Sequence, residues 1–127
     1  MIKRLVIACC VVALTAGPVP ARADQIHFTG TTRVDAAVIH DALQQVLTVA
    51  AATERCNQLT AVEARPLPPG YRPPHPSDAI PATALYEWWD TTLCGRTVPF
   101  VLAFWPAPEG GYMFAVIYLD PGDRTRP

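Results

Sequence analysis

Seven of the sixteen residues from Pro66 to Pro81 are proline, and this run constrains the fold more than any other feature of the 127-residue chain. Proline has no backbone N–H and holds φ at about −65°, so such a stretch can neither sit inside a helix nor donate along a sheet ladder. It favours polyproline II and predicts a semi-rigid surface loop. Each flanking segment must therefore build its own regular structure, and the two must pack together across the loop.

Ahead of the loop, apolar residues recur at helical spacing from Arg33 to about Arg55. Val34, Val38, Ala42, Val46 and Val49 form one row, with Ile39, Leu43, Leu47 and Ala50 beside it. Arg33, His40, Asp41, Gln44, Gln45 and Glu54 lie largely off that stripe. The spacing predicts an amphipathic helix of about five to six turns. Thr31 or Thr32 is placed to cap it, Asp35 falls in its first turn, and Asn57 suits a left-handed C-terminal cap. A short β-prone segment, Asp24 to Thr32, precedes the helix, and Gln58 to Arg65 reads as a short strand.

Beyond the loop, Thr83–Thr92, Thr97–Trp105 and Gly111–Leu119 are aromatic and β-branched, as strands are. Cys94-Gly95 separates the first two, and the segment from Pro106 to Gly111 reads as a hairpin loop. Residues 120–127 carry no apolar anchor and read as a flexible tail. The predicted class is α+β: one long amphipathic helix packed on an antiparallel β-meander of three to four strands, in two layers, forming a single domain over 24–119.

Residues 1–23 read as a secretory signal peptide. Lys3 and Arg4 precede an apolar run from Leu5 to Ala16 that is too short for a stable membrane span. Gly17, Pro18 and Pro20 break it, and Ala21-Arg22-Ala23 fits signal-peptidase cleavage after Ala23. Val6-Ile7-Ala8-Cys9 resembles a lipoprotein box, but too few residues precede it to make an apolar region. The expected destination is the periplasm or the exterior, where thiols oxidise. Cleavage removes Cys9 and Cys10 and leaves Cys56 and Cys94, which predicts one disulfide. Closing a loop of that length stabilises by roughly 4 kcal/mol in the chain-entropy account. Seven arginines then stand against eleven acidic residues, a net of −4. A mildly acidic domain without a basic cluster excludes nucleic acid and anionic membrane surfaces as expected partners.

The segment Glu87-Trp88-Trp89-Asp90-Thr91-Thr92-Leu93-Cys94-Gly95, followed by Val98, Phe100, Leu102, Phe104 and then Gly110-Gly111, resembles small exported proteobacterial proteins. In these an E-x-W, four residues and C-G precede an alternating strand and a Gly-Gly turn. The likeness spans roughly residues 84–116, and Cys56 at the end of a helix extends it. It implies export, the disulfide and the α+β class, and it carries no catalytic residue or activity.

Adjacent strand residues face opposite ways. Leu85, Glu87, Trp89 and Thr91 therefore share one face of their strand, and Tyr86, Trp88 and Asp90 the other. Val98, Phe100, Leu102 and Phe104 oppose Val101, Ala103 and Trp105, and the last strand is apolar on both sides. One helix covers one face. The second face is then either an aromatic contact surface, with Tyr86, Trp88, Trp105 and Tyr112 as binding residues and the proline-rich loop as rim, or it is covered by that loop and the N-terminal segment. Pro99, inside a strand, predicts a sheet edge or a bulge. His27, His40 and His75 are scattered over strand, helix and loop without metal-ligand spacing, so no metal and no cofactor is expected. The carboxylate pairs Glu87/Asp90 and Glu54/Glu63 do not converge as an acid–base dyad would. The sequence thus predicts a non-enzymatic periplasmic binding or accessory protein, monomer or homodimer, that contacts another envelope protein or a small apolar ligand. The alternative is a small periplasmic hydrolase or an enzyme inhibitor.

Overall fold

The computed structural model describes residues 25–127. The predicted signal peptide and its cleavage site lie outside them. The elements run β1 (His27–Gly30), α1 (Ala36–Thr53), β2 (Leu59–Pro66), β3 (Leu85–Leu93), β4 (Arg96–Pro106) and β5 (Tyr112–Tyr118), closed by a 3-10 turn at Pro121–Asp123. The strands form one five-stranded sheet in the order β1-β2-β3-β4-β5. This confirms the α+β class and corrects its sheet. The segment before the helix is a fifth strand, and β1 pairs parallel with β2, whereas β2 to β5 are antiparallel neighbours. The cause is α1 itself: a helix that returns the chain along one face of the sheet brings the next strand in parallel to the one before it. Gly30 makes that pairing close. It sits at φ +89°, and a Cβ there would lie 2.1 Å from the Ala64 carbonyl oxygen, where the Thr31 N–H now donates at 2.9 Å.

The helix starts three residues later than its apolar pattern, because Asp35, not a threonine, is the cap: its side chain accepts from the Val38 N–H at 3.1 Å. At the other end Arg55, not Asn57, takes the left-handed conformation, at φ +51°. The predicted stripe is the buried face. Ala42, Leu43, Val46 and Ala50 are buried and Val38, Ile39, Leu47 and Val49 half-buried, while His40, Asp41, Gln44 and Gln45 are exposed. They pack on the row Phe28, Val62, Ala64, Trp89, Phe100, Leu102, Phe104 and Val116. Trp89 fills the centre of this core, with Phe28 edge-on at 5.1 Å and Phe104 at 6.3 Å between ring centroids.

Pro99 lies in an interior strand, not at an edge. It pairs with Asp90 of β3, but β5 pairing begins only at Phe100↔Tyr118, so at Pro99 the strand has a neighbour on one side alone. Cys94 and Gly95 make the two-residue β3–β4 turn, both at positive φ (48° and 75°), as a type I′ hairpin requires. Cys94 is bonded to Cys56, just past the helix, with Cα atoms 6.1 Å apart. Among the described residues no helix is long and apolar enough to cross a membrane.

Candidate functional site

The proline-rich segment leaves β2 at Pro66 and folds over the second face of the sheet. Leu67 donates its N–H to the Tyr86 carbonyl at 2.9 Å, so the loop begins by extending the ladder, and Leu67 joins Trp88, Val101 and Leu119 in a second, smaller apolar cluster. Tyr71 then packs edge-on against Tyr86, with ring centroids 5.5 Å apart. The expectation that the loop covers this face is met in part. The described part of the N-terminal segment is not a cover, since β1 lies in the sheet at its edge.

The four aromatic residues expected to bind do not form one surface. Trp88 is buried at 2 % exposure, and its indole N–H donates to Asp90 Oδ1 at 2.9 Å, so it belongs to the core under the loop. Tyr86 is half-buried beneath Tyr71, and Trp105 is half-buried opposite Met113 of β5. Tyr112, opposite Pro106, shares its side of β5 with Phe114 and therefore faces the helix side of the sheet, away from Trp88 and Trp105.

Between the loop and the start of β3 lies a cleft of about 430 Å³, lined among others by Arg33, Tyr71, Arg72, Ile80, Leu85 and Tyr86. Short-range turns hold the loop open around it: Tyr71 N–H to Pro68 O, Ile80 N–H to Ser77 O, and Ala84 N–H to Pro81 O, all near 3.1 Å. Leu85 is 42 % exposed. Arg33 and Arg72 are exposed and make no salt bridge among the described residues. Burial pushes the Tyr71 phenol above its ordinary value of 10, with Tyr86 and Asp123 adding to the effect, so the hydroxyl stays neutral and able to donate. The cleft thus combines aromatic and aliphatic walls, a tyrosine, two arginines and one carboxylate residue, Asp78. Nothing in the sequence marks Tyr71 and Arg72, because they sit in a proline run with no periodicity to assign them a direction.

Two groupings were not visible in the sequence. Glu63 stands directly opposite Asp90 across β2 and β3, a carboxylate pair different from those considered, and Arg65 bridges it at 2.7 Å to Glu63 and 4.0 Å to Asp90. His75 of the loop lies with Asp120 and Asp123 of the C-terminal turn, their ligand atoms within 4.8 Å of one another and all three residues exposed. The segment 120–127, expected to be a loose tail, is instead tied down through Arg124, which donates to Glu54 at 2.6 Å, to the Tyr118 hydroxyl at 2.9 Å and to the Leu119 carbonyl at 3.1 Å.

The chain matches no protein-family model, no curated protein and no solved structure.

Proposed function

We propose that this is an exported, non-enzymatic binding protein whose proline-rich loop forms a recognition cleft for a small, largely apolar ligand bearing an anionic group. The observation that carries this is the cleft's make-up: Tyr71, Ile80, Leu85 and Tyr86 offer apolar contact, while Arg33 and Arg72, which have no salt-bridge partner among the described residues, outnumber the single carboxylate of the lining, Asp78. Small-molecule sites characteristically pair apolar walls with a few placed polar groups, and arginine favours bidentate contact with carboxylate-like anions. Proline stiffness favours binding too, because a loop that is already ordered loses little entropy when a ligand arrives. Of the two partners the sequence suggests, a small ligand suits this concavity better than a protein surface. The Cys56–Cys94 bond is compatible with a periplasmic or secreted location.

The test is a fluorescence titration with an anilinonaphthalene sulfonate probe, which is both apolar and anionic, followed by competition with medium-chain alkyl carboxylates and the matching alcohols. Saturable binding, displaced by the acids better than by the alcohols and weakened about tenfold or more by joint Arg33→Ala and Arg72→Ala replacement, is the expected result. Absence of saturable binding, or equal displacement by acids and alcohols, defeats the proposal.

A further inference from the structure

His75 of the proline-rich loop precedes Asp120 by 45 residues, yet the fold brings it to Asp120 and Asp123, with one ligand atom of each within 4.8 Å of the others. The imidazole comes from between Pro74 and Pro76, where proline restricts the backbone. The carboxylates come from the C-terminal 3-10 turn, which closes with the Asp123 N–H donating to the Asp120 carbonyl at 2.8 Å. Asp120 stands in the capping position of that turn, but its side chain makes no capping hydrogen bond. Clustered carboxylates elsewhere in the molecule are met by arginine. Arg65 bridges Glu63 and Asp90, and Arg96 and Arg124 converge on Glu54. Asp120 and Asp123 are not: Arg124, the next residue along the chain, is directed to Glu54 at 2.6 Å. None of His75, Asp120 and Asp123 makes a salt bridge among the described residues, and the group that meets the two carboxylates is an imidazole instead.

We infer that His75, Asp120 and Asp123 bind one divalent metal ion of the zinc class, joining the proline-rich loop to the C-terminal turn. One imidazole nitrogen and two carboxylate oxygens are a three-ligand set that zinc accepts, and the exposure of all three residues leaves a further position to water. The imidazole is what selects the metal: calcium and magnesium take all-oxygen sets, whereas nitrogen suits zinc and its neighbours. Ligand atoms about 2.1 Å from one ion stand about 3.4 Å apart in a tetrahedral set, so exposed side chains spaced up to 4.8 Å need to move by under about 1 Å each. The join has a consequence for the loop. Among the described residues, the backbone hydrogen bonds of residues 68–84 outside the strands all lie within the loop itself. The turn, by contrast, is anchored to α1 through Arg124 and Glu54. A bound ion thus ties the loop to a fixed point, one residue from Pro76 of the cleft lining. The site goes beyond the cleft reading and does not rest on it.

The test is calorimetric titration of the disulfide-intact chain, carrying no polyhistidine tag, with zinc chloride. Wild type should take up one ion per chain. His75→Ala, Asp120→Asn and Asp123→Asn should each weaken binding tenfold or more, and His40→Ala should leave it unchanged. A hundredfold excess of calcium should not displace the zinc. In nuclear magnetic resonance spectra of wild type, the ring signals of His75 should shift on zinc addition while those of His27 and His40 stay, a readout that needs no variant to fold. Absence of saturable uptake up to about 1 mM zinc overturns the inference. So does uptake that the three variants leave intact, or a shift at His27 or His40 without one at His75, since either places the ion elsewhere. Displacement by calcium overturns it too, because the imidazole would then take no part. No cleft ligand enters these measurements, so their failure and that of the cleft titration are separate results.

Discussion

Glu87 has no exposed surface and sits on the helix-side face of β3, in the middle of the apolar core. Its carboxyl group accepts three hydrogen bonds: from the Thr32 hydroxyl at 3.1 Å and the Arg33 N–H at 2.8 Å on one oxygen, and from the Trp89 indole N–H at 2.9 Å on the other. The group therefore latches the β1–α1 connection to the sheet and orients the largest core side chain. The spacing of glutamate and tryptophan follows from strand geometry, since residues two apart lie on one face and within reach of each other. Glu87→Ala would leave the buried Trp89 indole N–H and the partly buried Arg33 N–H without an acceptor, and should lower unfolding free energy by about 3 kcal/mol in guanidinium titrations followed by tryptophan emission. Glu87→Gln keeps one acceptor and should lose less. A near-neutral Glu87→Ala would mean that water reaches the site and the latch is not structural. The sequence placed Glu87 and Trp89 on one face; that the loop before the helix would reach this carboxyl was not legible, because Thr32 lies 55 residues away.

At the scale of elements, the end of α1 is joined to the end of the sheet by Glu54. A carboxylate near a helix C-terminus opposes the helix dipole, and here other groups compensate. Arg124 and the Tyr118 hydroxyl both donate to Glu54 Oε1, Arg96 lies 3.6 Å from Oε2, and the Arg124 guanidinium stacks 5.4 Å above the Tyr118 ring. Burial raises the Glu54 pKa, but the hydrogen bonds from Arg124 and Tyr118 and the nearby positive charges outweigh it, and the carboxyl titrates below its ordinary value of 4.5. A pKa depressed by folding contributes stability that is complete above the unfolded value and is lost as the pH falls through the folded one. The melting temperature of wild type should therefore exceed that of Arg124→Ala at neutral pH, and the gap should narrow below about pH 4.5 as Glu54 protonates. A gap constant with pH would locate the role of Arg124 in packing rather than in charge. The same cluster explains why the C-terminal segment departs from its expected looseness: its anchor is a single arginine, which an apolar pattern does not register.

Across the whole molecule, one covalent bond closes a ring from the end of α1 to the β3–β4 turn, and the proline-rich loop lies inside that ring. Reduction should cost roughly 4 kcal/mol of unfolding free energy by loop-closure entropy, a large part of the stability of a domain this size. Urea titrations with and without reductant measure it, and coincident midpoints would show that the reduced chain is equally constrained. The sequence by itself determined the features set by neighbouring residues: the 3.6-residue apolar stripe of α1, the two-residue alternation that sorted β3 and β4 into faces, the proline run that had to be a loop, and the placement of Cys56 and Cys94 on either side of that run. Only the tertiary structure decided that β1 joins the sheet parallel, that Trp88 is core while Tyr112 faces the other side, and that Arg33, Tyr71 and Arg72 share one cleft. Local periodicity states which way a side chain points along its own element. Which distant segment arrives to meet it depends on strand order, register and the path of the loop, and these are settled by long-range packing that no stretch of adjacent residues encodes.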